Sequence, residues 1–360
     1  SYTNLNAKGT QVNSTLKRNN IGINASNKFS DKLSANVSGN YVQSIASGRP
    51  QTGYGESVMS QFTQWYQRQL DTDMLRDLYE SADGSMRTWN RMSPTDASVN
   101  YWDNPFWERY KNVQNDQRDR LTGVASLSYK INDKLGITGR AMLDTYSDRR
   151  EERIAVGGVR QAAYSENLRT VSDNNFDLIL NYTNQINENI NLTGIVGGNT
   201  RVSQVTQNLA STQDGLNTPG LYNLSNSIGS IDVDDIYRKK KVNSLFASAT
   251  VGYKSFLYVD LTARNDWSST LPEEERSYFY PSATASFVFS ELVDLKVLSF
   301  GKIRAGWSQV GNDTDPYNTE NVYVNSQPFN NSGSSTVGNE LLNTNLRPEK
   351  ISSFEIGTDL

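Results

Sequence analysis

Apolar and polar residues alternate along most of this chain. Leu33, Ala35, Val37, Gly39 and Tyr41 are separated by Ser34, Asn36, Ser38 and Asn40. The same alternation carries Leu121, Gly123, Ala125, Leu127, Tyr129 and Ile131, then Leu135, Ile137, Gly139, Ala141 and Leu143. It returns in Phe176–Tyr182, Leu245–Tyr253, Leu257–Ala263 and Ile303–Trp307. Successive side chains of a strand point to opposite faces, so a period of two with one apolar side predicts strands, roughly a dozen here. Several segments run to about ten residues, the length a tilted strand needs to cross a bilayer, where soluble strands run to about five or six. Phe29, Tyr41, Tyr129, Tyr182 and Tyr253 lie near one end of the apolar stripe, where an interfacial aromatic girdle would put them.

The connections between strands fall into two sets. Lys28–Leu33, Lys130–Leu135 and Gln185–Ile190 are short polar turns of one form, and Tyr253–Phe256 is shorter still. Residues 43–119, 147–170, 207–240, 266–277 and 311–347 form long connections. The two sets take turns, as they must when alternate connections lie at opposite ends of a barrel. The expected fold is therefore all-β: a transmembrane antiparallel up-and-down barrel of the outer-membrane type. A soluble β-rich fold that binds or hydrolyses carbohydrate is the alternative. Ser1-Tyr2-Thr3 and Gly357–Leu360 both fall inside patterned sequence, which predicts a piece of a larger barrel.

Composition narrows the chemistry. With no His and no Cys, imidazole catalysis, thiolate metal sites and disulfides are excluded. A formal net charge of -4 offers no basic surface for nucleic acid. Mean hydropathy is -0.63, and no apolar run is long enough for a spanning helix. The acidic groups Asp232–Asp235, Glu273–Glu275 and Asp313-Thr314-Asp315 complete no calcium loop motif. They read as solvated loop charge, with loop calcium at Asp313 and Asp315 the one cofactor to consider. Arg238-Lys239-Lys240-Lys241 is either a solvated strand entry or a contact with anionic lipopolysaccharide.

Within 43–119 the period changes. Val58, Phe62, Trp65, Tyr66, Leu70, Met74, Leu75 and Leu78 recur at three and four, predicting a helix near 56–79 that Gly53, Gly55 and Gly84 bracket. Trp89, Tyr101, Trp102, Phe106, Trp107 and Tyr110 follow. Trp65, Tyr66, Trp89, Tyr101, Trp102 and Trp107 are the candidates for contact with a ligand or partner. Packing of the loop onto itself is the competing role.

Several stretches resemble the SusC/RagA family of TonB-linked outer-membrane transporters of Bacteroidetes. They are Ser1–Leu5 with Lys17–Asn20, Asn104–Glu108, Arg118–Gly123, Arg264–Pro272, Tyr278–Ser282, Lys302–Asn312 and Leu346–Lys350. Asn265, Asp266, Trp267, Tyr280, Pro281, Gly311 and Asn312 carry the motif positions. The resemblance implies the middle of a barrel of roughly twenty-two strands, plugged by an N-terminal domain not visible in this chain. It implies active import of an oligosaccharide or oligopeptide, a SusD-like surface lipoprotein as partner, and drive from the TonB complex through the plug. A passive porin or surface adhesin is the alternative on the same barrel. Arg140, Asp144, Asp260, Arg264 and Arg304 are then candidates to face the lumen or pair with the plug. The resemblance implies no enzyme activity.

Overall fold

The computed structural model describes residues 1–54, 56–292, 299–330 and 332–360. Gly55, expected above as a helix breaker, lies outside them. The strands are β1 (Tyr2–Lys8), β2 (Thr15–Lys28), β3 (Leu33–Ser47), β4 (Val113–Lys130), β5 (Leu135–Ile154), β6 (Ala163–Asn187) and β7 (Ile190–Ser211). They continue with β8 (Asp232–Tyr253), β9 (Leu257–Ser268), β10 (Ser277–Phe287), β11 (Lys302–Asn312), β12 (Tyr323–Phe329), β13 (Ser332–Val337) and β14 (Glu349–Asp359). Twelve of them form one sheet in the order β1 to β11 and then β14, while β12 and β13 pair as a separate hairpin. Every neighbouring pair is antiparallel, so the sheet is up-and-down throughout.

Register sorts the side chains. Leu33, Tyr129, Ile137, Leu180, Val196, Ala247, Ala263 and Pro281 form one cross-strand row from β3 to β10. On the other face Asn36, Ser126, Arg140, Asp177, Asn199, Ser244 and Asp266 form another. The apolar rows are not covered by a second layer. Leu127 is 52% exposed and Val196 60%, with Val37, Leu178, Leu245 and Leu261 also exposed. Water would not tolerate so broad an apolar face; a lipid acyl phase does.

The short turns share one device. The side-chain oxygen of Ser30 accepts from the amides of Lys32 and Leu33 at 3.2 and 3.1 Å. Asn132 does the same for Lys134 and Leu135, both at 2.9 Å, and Asn187 for Asn189 and Ile190 at 2.9 and 3.0 Å. These side chains satisfy the amides that the ladder leaves open. In the fourth turn Lys254 and Ser255 both have positive φ, 45° and 61°, the pairing a tight hairpin turn requires.

Two expectations change. β5 to β8 run 20, 25, 22 and 22 residues, far beyond a bilayer crossing of about ten. The long connections shrink accordingly to residues 48–112, 155–162, 212–231, 269–276 and 313–348. Past the apolar band both faces of the sheet meet water, so the alternation stops although the ladder continues. Nor is the alternation of connection lengths strict: 288–301 lies on the short-turn side and 9–14 on the other.

Leu127 stands in the middle of the exposed apolar face. Leu127→Arg is expected to cost roughly 2–4 kcal/mol of folding stability in lipid vesicles, the penalty of a cation at bilayer midplane. Ser126→Arg, on the polar face, is expected to cost much less. Urea titration of vesicle-inserted protein checks both.

Candidate functional site

The polar face is concave. At the end of the sheet that bears the long connections it encloses a cavity of about 960 Å³, with walls reaching from Leu16 and Arg18 on β2 to Asp232 and Asp234 on β8. A second recess of about 550 Å³ continues along the same face, lined by Asn24, Ser38, Asn40, Thr122, Asp144 and Asn175 among others. The wall between is held by ion pairs within and between neighbouring strands and to the connection after β3. Arg118 and Arg150 meet the one carboxylate of Asp148 at 2.7 and 2.8 Å. Arg49 pairs with Asp116 and Arg201 with Asp173.

The charged residues singled out from the sequence find partners within this wall. Arg140 reaches Asp177 on β6 at 2.7 Å. Asp144 takes two bonds from Arg120 at 2.8 and 2.5 Å. Asp260 accepts from the hydroxyls of Thr250 and Thr284 at 2.5 and 3.4 Å. Arg304 stands 3.8 Å from Glu355 on β14. Arg264 donates to Asp266 and to Ser244, both at 2.8 Å.

That last pair opens a network around the motif residues. Tyr280 donates to the other oxygen of Asp266 at 2.6 Å and lies 6.0 Å from Tyr278, nearly parallel. A Cβ on Gly311 would fall 2.5 Å from Tyr278 Cδ2, so only glycine lets the ring lie there. Asn265 donates to Ser277 at 3.0 Å. Trp267 and Pro281 lie on the apolar side, opposite Ser277 and Ala263. Asn312 pairs with Glu349. Just beyond, buried Ser268 and Thr270 donate to Asp313, which also holds Lys240. Asp313 thereby ties connection 313–348 to β8 and β9. Among the described residues no three acidic side chains converge as metal ligands, and the carboxylate of Asp313 is engaged by these partners instead.

Connection 48–112 is the most deeply packed region. The helix expected near 56–79 is broken. A helical turn α1 (Val58–Ser60) runs into a π-helical turn (Gln61–Trp65), the chain extends at Tyr66, and Asp71 caps α2 (Thr72–Asp77) by accepting from Asp73 and Met74. α3 (Pro105–Tyr110) is capped by Asn104, whose side chain also donates to the carbonyls of Leu75 and Arg87 at 3.1 Å each. Buried Arg109 gives its guanidinium to the carbonyls of Val12, Asn13, Gly48 and Arg49. It thus stitches the β1–β2 connection to the exit of β3. Gly48 has φ +62°, and a Cβ there would fall 1.7 Å from the carbonyl oxygen of Asn13.

The six aromatic candidates divide. Trp107 is 1% exposed and Trp102 is buried, both inside the packed loop. Tyr66 lies 6.2 Å from Trp89, both half-buried. Trp65 is 45% exposed and stacks on Trp102 at 5.9 Å, with exposed Tyr54 edge-on to both. Tyr101 is 78% exposed with φ 61°.

Asp103 and Arg109 lie outside the stretches singled out from the sequence, and the packing roles of Asn104 and Glu108 were not among the expectations. An Asn-Pro pair opening a helix was the available sign for Asn104. Asp103 accepts from the amide of Val159 at 2.6 Å. Glu108 accepts from Asn112 at 3.0 Å and faces Arg160 at 3.4 Å. Arg160 also faces Glu152 and Glu56, so one cation serves several acids. Burial pushes Asp103 up from the carboxylate range, and burial together with the charge of Asp103 pushes Glu108 up to about 7, against the pull of Asn112 and Arg160.

A family profile described as TonB dependent receptor-like, beta-barrel matches residues 66–360. TonB-dependent receptor P26 of Formosa agariphila is similar over 384 residues at 25% identity, covering 99% of this chain and 36% of that protein. Among solved structures the RagAB peptide transporter matches with a TM-score of 0.77 at 15% identity, over 96% of this chain and 38% of the matched one. BauA, the ferric preacinetobactin receptor from Acinetobacter baumannii, matches with a TM-score of 0.53 at 9% identity, over 99% and 46%. These structural likenesses establish the fold. The chain spans little more than a third of the length of the first two relatives.

Two outcomes are expected. The folded Glu108 keeps its proton to about pH 7, whereas an unfolded glutamate releases it near 4.5. The folded loop therefore binds the extra proton in that window, and its stability falls as pH rises from about 4.5 to about 7. Four of the six tryptophans lie in this loop, so their fluorescence in urea should report earlier melting at pH 8 than at pH 5, and Glu108→Gln should flatten the difference. Asp313→Asn should leave Lys240 half-buried without its counter-charge, at a cost of roughly 1–3 kcal/mol, seen as faster protease cleavage within 313–348.

Proposed function

Because the chain belongs to the TonB dependent receptor-like β-barrel family, we propose that it forms part of the wall of an outer-membrane importer of a large polar nutrient, an oligosaccharide or an oligopeptide. The observation that carries this reading is the two-sided register: an uncovered apolar face backed by a concave polar one. The apolar face suits lipid. The concave face offers many weak hydrogen-bonding and charged groups rather than one tight site, as a translocation path requires. RagAB, whose fold this chain shares, is a peptide transporter, which supports the class of cargo.

We assign the partners to the two ends of the sheet. The exposed rings of Tyr54, Trp65 and Tyr101 crown the side that bears the long connections. That is where a SusD-like surface lipoprotein would dock and deliver cargo. The TonB complex would act at the opposite end through a plug domain supplied by the rest of the protein. Lys239 and Lys241 are exposed and pair across the ladder with Gln204 and Val202, on the lipid side of β8, suited to lipopolysaccharide phosphates.

Uptake by cells carrying the full-length protein should require both that protein and an intact TonB complex. Passive uptake that survives loss of TonB would refute active import. Trp65→Ala with Tyr101→Ala should weaken capture of the lipoprotein by about 5–30-fold, the scale of one interface anchor of roughly 1–2 kcal/mol, while the barrel stays folded by heat-modifiable electrophoresis. Unchanged capture would remove the loop from the docking surface.

A further inference from the structure

The cavity of about 960 Å³ is lined by charges of both signs, and most are already paired. Arg49 is matched by Asp116. Glu151 is matched by Arg153 and Asn115, Glu152 by Gln51 and Arg160, and Glu166 by Arg149 and Tyr164. What remains is uneven. Arg118 and Arg150 share the single carboxylate of Asp148, which leaves one positive charge uncompensated. Arg18, on β2, makes no side-chain hydrogen bond or ion pair among the described residues. Across the cavity Asp232 and Asp234, on β8, make none either. Arg169 and Arg238 stand on the same face of the sheet but do not line the cavity. One wall thus carries a surplus of positive charge and the facing wall a surplus of negative charge.

We infer that this cavity selects cargo bearing separated opposite charges and orients it, carboxylate toward Arg18, Arg118 and Arg150, amine toward Asp232 and Asp234. A neutral glycan leaves both surpluses unmatched; Arg18, Asp232 and Asp234 are exposed, so each pairing is modest and salt-screened and the preference comes from meeting both walls at once. An oligopeptide with free termini matches both. The spacing sets its length. Arg150, Asn167, Leu209 and Asp234 lie in one cross-strand row, three strand spacings or about 14 Å. From the row of Arg18 on β2 to β8 there are six spacings, about 29 Å along the curved sheet. Extended chain covers at most about 3.3–3.6 Å per residue, and the straight span is shorter than the arc, so an extended peptide of roughly four and at most about eight residues bridges the walls. The inference rests on the proposed import function and specifies its cargo.

The test is binding to the full-length protein in detergent, by isothermal titration at low salt. The probes are a hexapeptide of Gly, Ser and Ala with free termini, the same peptide N-acetylated, the same peptide C-amidated, and maltohexaose. The free-termini peptide should bind at least tenfold tighter than either blocked form and than maltohexaose, with the advantage lost in 0.5 M salt. Asp232→Asn with Asp234→Asn should erase the penalty for N-acetylation and keep the penalty for amidation, and Arg18→Gln should weaken the amidation penalty alone. Equal affinity for free and blocked peptides would overturn the inference. So would tighter binding of maltohexaose. If the variants fail to fold, the peptide series on the unaltered protein decides. TonB-dependent uptake of a neutral saccharide would sink this inference and leave import standing, whereas charge-selective binding with TonB-independent uptake would do the reverse.

Discussion

Strand register is the constraint on which the rest depends. Side chains alternate faces with a period of two, so a one-residue slip of β5 or β9 would carry Arg140 and Asp144 or Arg264 onto the apolar side, and one of β4 or β6 would carry Leu127 or Leu178 into the concavity. Each backbone ladder is indifferent to that slip. The side chains are not. Cross-strand salt bridges on one face and apolar contacts on the other both reach their partners in a single alignment, and the Ser30, Asn132 and Asn187 turns pin it from one end.

The concave face shows how so many charges coexist on a thin wall. Arginines and carboxylates are placed on adjacent strands at nearly the same height or two residues apart on one strand, so each neutralises its neighbour and few remain to repel or to attract. Arg264, Asp266, Tyr280 and Ser244 form one such knot, and Lys240, Asp313, Ser268 and Thr270 form another beside it. These two knots explain the motif stretch as wall architecture: it fastens β8 to β10 and holds the following connection against the rim. The charges left over are few enough to matter for what passes.

The sequence made the apolar-striped portion of the fold legible because there one face is apolar and the other polar, and Leu33–Tyr41 and Leu121–Tyr129 read as strands on that alternation alone. Where the strands rise beyond the apolar band, as in residues 147–154 of β5 and 232–240 of β8, water lies on both sides and the alternation vanishes, so the pattern there reads as loop. The spacing from Val58 to Leu78 suggested one helix, but Tyr66 is extended and Asp71 restarts the turn. Trp102 and Trp107 take the packing role that the sequence set beside contact, whereas Trp65 and Tyr101 stay exposed. The partners of Arg109 and Glu108 are carbonyls and side chains distant in the chain, which no local pattern reveals.

These 360 residues hold no cysteine, so once any cysteines elsewhere in the full-length protein are replaced by serine the two-sided wall is directly measurable. Single cysteines placed in turn at residues 121 to 129 of the full-length protein in lipid vesicles can be spin-labelled and their collisions with oxygen and with a water-soluble nickel chelate recorded. Labels at Leu121, Gly123, Ala125, Leu127 and Tyr129 should favour oxygen, and those at Thr122, Val124, Ser126 and Ser128 should favour the chelate, in strict alternation. A uniform response along β4, or an inverted one, would contradict a lipid-facing stripe around a wet interior.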